Sequence, residues 1–191
     1  MNEGTFPGFS AGRPVELYLP EIIHEETLQA SGAFDIRDIP LIYDKFYIEL
    51  VLRGTVSAAN DIVYLYANGD LTAANYSCQR AFFAGTGTFN SRADIPDMAR
   101  ATAGTAPADA FARSVVEIIN PQDTIKTKTA TTSGELLEAA ATFDRYLMSW
   151  NWENTAPITR IQIRTDNHPT DLFVKGSMVR LIGWRRFRLQ P

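Results

Sequence analysis

The sequence predicts an all-β fold, an antiparallel β-sandwich or barrel with an extended N-terminal arm and at most one or two short helices. Three observations carry the prediction. Apolar residues recur at period two through several short segments. β-branched and aromatic runs alternate with turn formers at intervals of about 10–20 residues, which suits a sandwich or barrel rather than a βαβ fold. The 191 residues, 45% hydrophobic and 21% charged, have ordinary globular composition. That length fits one domain, which buries about 70% of its unfolded surface and needs no disulfide or metal staple.

The elements follow in chain order. Residues 1–14 are rich in Gly and Pro and weakly patterned, so they form the arm. Residues 15–186 make the sandwich and 187–191 a C-terminal tail. Residues 20–30 have helical propensity through Ile22, Ile23 and Leu28, yet read better as strand. Phe46, Ile48, Leu50 and Leu52 alternate with Tyr47, Glu49, Val51 and Arg53, giving one apolar and one mixed face. Residues 61–67 form a strand closed by Asn68-Gly69-Asp70, a turn signal because Asn and Gly tolerate positive φ.

Residues 76–83 read as the next strand. Residues 85–108 are small, contain Pro96, and read as a long contact loop. Strands are predicted at 115–119, before Asn120-Pro121, and over the Thr-rich stretch 125–131. Residues 133–141 fit a capped helix and a strand equally, with Ser133 ahead of Glu135, Leu136, Leu137 and Glu138. The aromatic-rich segment 143–152 is strand, as are the stretch holding Ile158, Ile161 and Ile163 and the last segment, 173–184, with Gly176 as a bulge or bend.

Chemistry-bearing patterns are sparse. Cys78 is the single cysteine, so it makes no intrachain disulfide, and its apolar setting makes it a core residue. His24 and His168 have no partner at ligand or triad spacing. No Gly-x-Ser-x-Gly elbow occurs, and Gly85-Thr86-Gly87-Thr88 lacks the Lys of a phosphate loop. Asp61, Asn68 and Asp70 offer oxygens to Ca²⁺, but a turn explains them more simply. These readings predict no enzymatic activity, no cofactor and no metal. A net charge of −4 disfavours nucleic acid as a partner. The N-terminus lacks a basic and an apolar region, so no signal peptide is expected, and no apolar run is long enough to span a membrane. Trp150 and Trp152 are candidate glycan-stacking residues, with core packing the commoner use of such residues. Arg185, Arg186 and Arg188 make the tail locally basic and suited to an acidic protein surface.

The ordered segments resemble a jelly-roll module of tailed-phage virion proteins. Ile39-Pro40-Leu41-Ile42-Tyr43 resembles its opening into a long strand. Asn68-Gly69-Asp70 and Ala73-Ala74-Asn75-Tyr76 resemble its next signatures. Trp152, Thr155, Ala156, Ile158, Ile161 and Ile163 fit a late block, and Phe173, Gly176, Ser177, Leu181 and Gly183 a closing one. The resemblance covers most of the chain between Leu28 and Trp184, weakly over 86–112 and 131–143. It implies a jelly-roll-like antiparallel β-sandwich and a non-enzymatic protein of head decorations, head fibres or tail fibres, often trimeric. We therefore expect a capsid decoration or cement protein, made in the host cytoplasm and carried on the virion. Its partners would be the major capsid protein or other virion proteins. Phe6, Arg13, Arg185, Arg186 and Arg188 are the expected contacts. The alternative is a tail fibre or receptor-binding module that takes host polysaccharide through Trp150 and Trp152; a polysaccharide-cleaving enzyme is a third reading, without an acid pair to support it.

Overall fold

Alternating burial builds the sheets. β3 (Lys45–Leu52) buries Phe46, Ile48, Leu50 and Leu52 and turns Tyr47, Glu49 and Val51 away from the core. The computed structural model describes residues 15–84, 87–139 and 142–189, and the side chains of 17–83, 91–137 and 143–186. The other described strands are β1 (Val15–Thr27), β2 (Phe34–Ile36), β4 (Asn60–Ala67), β5 (Tyr76–Ala84), β6 (Gly87–Ala93) and β7 (Asp97–Thr102). They continue with β8 (Ala112–Ile119), β9 (Lys128–Ala139), β10 (Thr142–Trp152), β11 (Ile161–Thr165) and β12 (Met178–Leu189). Ala73–Asn75 forms a single 3₁₀ turn.

All strand pairs are antiparallel, and they form two sheets. The larger runs β1-β12-β3-β8-β9-β10-β5-β6 and the smaller β2-β11-β4-β7. Set aside the hairpins β5–β6 and β9–β10. The eight remaining strands, counted along the chain, then lie as first-eighth-third-sixth and second-seventh-fourth-fifth. This is the double Greek key of a jelly roll. The two hairpins are insertions, and both extend the same edge of the larger sheet. The all-β sandwich predicted from the sequence is therefore the observed fold.

The core lies between the sheets. Phe46, Ile48, Val116, Ile118, Trp150, Val179 and Leu181 of the larger sheet meet Phe34, Val63, Leu65, Ile161 and Ile163 of the smaller. A second cluster, Ala112, Leu136, Tyr146 and Met148, sits under the inserted half, with Phe82 against it. Gly134 is required there, because a Cβ would collide with the Tyr146 ring. Cys78 is buried, as expected. Pro20 is tolerated in β1 because that strand is a sheet edge. Beyond the pair Lys45–Trp184, β1 and β12 continue as a two-stranded ribbon with Leu17 and Leu19 exposed.

The structure decides two readings the sequence left open, at 133–139 and at Gly176, and corrects others. Residues 133–139 are strand, because β9 pairs with both β8 and β10, and two ladders outweigh local helical propensity. Residues 85–108 are not one loop: β6 and β7 lie within them. Every β7 residue is buried, so no polar-apolar alternation marks it. The end of that segment is instead held by the buried Arg53, whose guanidinium donates to the carbonyls of Pro107, Ala110 and Ala106 at 2.5, 3.0 and 3.1 Å. Residues 125–127 are not strand: the Asp123 carboxylate accepts the N–H groups of Ile125 and Lys126 at 2.6 and 3.0 Å, making a turn that leaves Ile125 83% exposed. Gly176, at φ +90°, turns the chain before β12 rather than bulging a strand.

Candidate functional site

Three places gather polar or exposed groups. The first is the turn after β4. Asn68 and Gly69 take φ values of 53° and 70° and send the chain across to the other sheet. The Asn68 side chain donates to the Pro157 carbonyl at 2.8 Å and accepts the N–H groups of Thr159 and Arg160 at 2.8 and 3.1 Å. Asp70 accepts from Trp152 Nε1 at 2.9 Å, Asn75 Nδ2 at 2.8 Å and the Thr72 N–H at 3.1 Å. Tyr76 donates to the Asp70 carbonyl at 2.8 Å and accepts the Ala67 N–H at 3.1 Å. Burial raises the Asp70 carboxyl, but the Trp152, Asn75 and Thr72 donors outweigh it and hold the group below the usual carboxylate range. The residues singled out at Asn68–Asp70, Asn75–Tyr76 and Trp152 are thus one hydrogen-bonded clamp. Its oxygens are spent on protein donors rather than set out for Ca²⁺. Asp61 is remote from them, near the opposite end of β4.

That residue makes the second place. Asp61 is 4% exposed, and its Oδ2 has no hydrogen-bond partner. Gly54 packs so closely that an added Cβ would lie 2.5 Å from this oxygen. Burial first, then the charges of Asp166 and Asp171, push the Asp61 carboxyl up to about 7. Among the described residues no group of three or more His, Cys, Asp or Glu is arranged to hold a metal ion. The Asp61 cluster is a store of electrostatic strain.

The third place is the outer face of the larger sheet, hollowed into an open trough of about 880 Å³. Its register is explicit. Met178, Val51, Arg113, Glu135, Arg145 and Phe83 lie side by side across β12, β3, β8, β9, β10 and β5. The next row is Arg180, Glu49, Val115, Ser133, Leu147 and Ala81. Arg180 is engaged by Glu25 and Glu49 at 2.6 and 3.0 Å, and the Arg145 guanidinium lies 5.7 Å from the centre of the Phe143 ring. Phe83, Val115, Phe143 and Leu147 are exposed on this face, as are Ile22 and Ile119 further along it. An outer sheet face in an isolated sandwich is ordinarily polar. The trough offers apolar area flanked by both signs of charge.

The sequence-predicted site residues are placed as follows. Trp150 and Trp152 are 1% exposed and stack around Tyr76 in the core, so neither presents a ring to a glycan. Arg185 and Arg186 stand at the base of the ribbon. The Arg186 N–H donates to Asp44 Oδ2 at 3.1 Å, and its guanidinium lies 3.3 Å from Asp44 Oδ1 and over the Tyr18 ring. Arg188 pairs in register with Glu16. Its side chain lies outside those described, as do Phe6 and Arg13 altogether. Sequence reading did not find the trough. The one available signal was the mixed outward face of the strands, where apolar residues such as Val51, Val115 and Leu147 share a face with charges.

No family model matches the chain, and no curated protein does. A solved structure from Desmodium yellow mottle tymovirus aligns over 100% of this chain and 92% of its own. Its sequence identity is 10% and its TM-score 0.26, a superposition too loose to inform fold or role.

Proposed function

We propose that this chain is a non-enzymatic structural subunit of a bacteriophage virion, decorating and cementing the head as a homotrimer. One observation carries the reading: the jelly roll leaves exposed apolar residues among charges on the outside of its larger sheet, a surface suited to association with another protein. The ordered resemblance to phage virion modules supplies the setting, and five of the matched residues, Asn68, Asp70, Asn75, Tyr76 and Trp152, meet in the clamp. A rigid sandwich bridging shell subunits adds contact area against internal pressure. For the tail-fibre alternative, the burial of Trp150 and Trp152 takes away its two named glycan-stacking candidates. Among the described residues no helix is long and apolar enough to cross a membrane.

The test adds purified chain to particles that lack it. Co-sedimentation at saturating stoichiometry and a raised temperature of genome release are expected. Val115→Glu or Leu147→Glu, each on the exposed face, should weaken binding at least tenfold while the variant stays folded. Absence of co-sedimentation by the wild-type chain, or turnover of a capsular polysaccharide by it, overturns the reading.

A further inference from the structure

The trough needs an occupant, and the chain holds a candidate outside the described residues. Residues 1–14 read Met-Asn-Glu-Gly-Thr-Phe-Pro-Gly-Phe-Ser-Ala-Gly-Arg-Pro. They carry two aromatics, Phe6 and Phe9, one acid, Glu3, and one base, Arg13. The trough has the complementary set: Phe83, Val115 and Leu147 as apolar floor, Arg113 and Arg145 as cations, Glu49 and Glu135 as acids. We propose that the N-terminal segment of one copy lies in the outer trough of a second copy.

Reach decides between a copy's own trough and a neighbour's. Val15 pairs with Leu189 at one end of β12, whereas the nearest row of the trough, Glu49 to Leu147, lies level with Arg180 toward the other. At about 3.3 Å per residue those positions are about 30 Å apart, and three strand spacings from β1 to β8 add about 14 Å sideways. The diagonal is about 33 Å. Phe9 is six residues from Val15, a link that reaches at most about 22 Å. The chain also meets β1 from the far side, so it would first have to double back. Residues 3–9 of a copy's own chain therefore fall short of its own trough. A neighbour's segment has no such detour. The six strands under the trough span about 24 Å, which seven extended residues cover. Residues 3–9 hold Glu3, Phe6 and Phe9 within that length, and residues 10–14 remain as the connection between subunits.

The proposal deepens the reading of an assembling subunit by naming what fills its exposed face. Its test needs no particle: a failure here removes the inference and the trimer but leaves the decorating role standing, and failure of particle binding leaves the inference standing. Two full-length variants are made. Phe6→Glu/Phe9→Glu damages the segment and spares the trough; Leu147→Glu damages the trough and spares the segment. Each is checked for folding by circular dichroism, and Val115→Glu replaces Leu147→Glu if that variant is unfolded. Sedimentation velocity is then run on wild type, on each variant and on their equal mixture. Wild type is expected to assemble and each variant to run as a monomer. The mixture should form a heterodimer, because one intact segment meets one intact trough. A monomeric wild type overturns the proposal, as does a mixture that stays monomeric. Wild-type assembly by Phe6→Glu/Phe9→Glu with dissociation of Leu147→Glu also overturns it, and assigns the trough to a second copy's folded surface.

Discussion

Replacing Asp61 with Asn tests the electrostatics of a buried carboxyl set beside two other acids. Asp61 is enclosed beside Gly54 and faces Asp166 and Asp171. Its carboxyl is raised from 3.8 to about 7. The folded state therefore keeps a proton that the unfolded chain releases near pH 4. The sign follows from proton linkage: between about pH 4 and pH 7 the native state binds more protons, so stability falls as pH rises through that window and levels off above it. A shift of about three pH units corresponds to about 4 kcal/mol at 1.36 kcal/mol each. Local rearrangement that admits water reduces this, and about 2–4 kcal/mol is expected. Asn keeps an acceptor for the Ile62 N–H that Asp61 binds and turns an NH₂ donor toward the two acids. Asp61→Asn should thus match wild type near pH 4 and exceed it increasingly up to pH 7. Asp35, held down to about 2 chiefly by Arg160, runs the opposite way but is common to both proteins and cancels in the difference. Urea denaturation of both proteins at half-unit steps from pH 4 to pH 8 measures that difference. A difference that stays flat within about 0.5 kcal/mol would refute the assignment of a strained, protonated Asp61.

Three further perturbations probe the scaffold. Asp97 is fully buried between Arg80 at 2.7 Å and Arg100 at 2.5 Å; Asp97→Ala strands two cations and should cost about 3–5 kcal/mol in urea denaturation, whereas a loss under 1 kcal/mol would show that the triad relaxes into water. Gly183 faces the Tyr43 ring, so the Cβ of Gly183→Ala collides with it; a loss of about 1–3 kcal/mol is expected, and Tyr43→Leu should relieve part of it. Asp70→Ala removes the acceptor of Trp152 Nε1, Asn75 and Thr72; about 2–4 kcal/mol should be lost, with changed near-ultraviolet circular dichroism from Trp152, and an unchanged spectrum would contradict the clamp.

Much of the fold was legible because its signals are local. The alternation over Phe46–Leu52 and the turn at Asn68-Gly69 need only neighbouring residues, and both stand as read. What was not legible depends on partners distant in sequence. β7 is buried on both faces by packing across the inserted half of the larger sheet, so Asp97, Ala99, Arg100 and Ala101 show no period. Glu135, Leu136 and Leu137 favour a helix alone, and two flanking ladders impose the strand. Trp150 and Trp152 are ambiguous in sequence, because a strand's alternate positions do not reveal which side is covered. The trough takes each residue of a row from a different strand, from Glu49 through Met178, so no contiguous motif encodes it.

Copy number tests the proposed role, a head-decorating structural subunit of a phage particle, most directly. Quantitative mass spectrometry of purified particles would give the ratio of this chain to the major shell protein. Hundreds of copies per particle, in simple proportion to the shell lattice, are expected. A few to a few dozen copies would place it at a vertex or on the tail, and absence from the particle would contradict the account altogether.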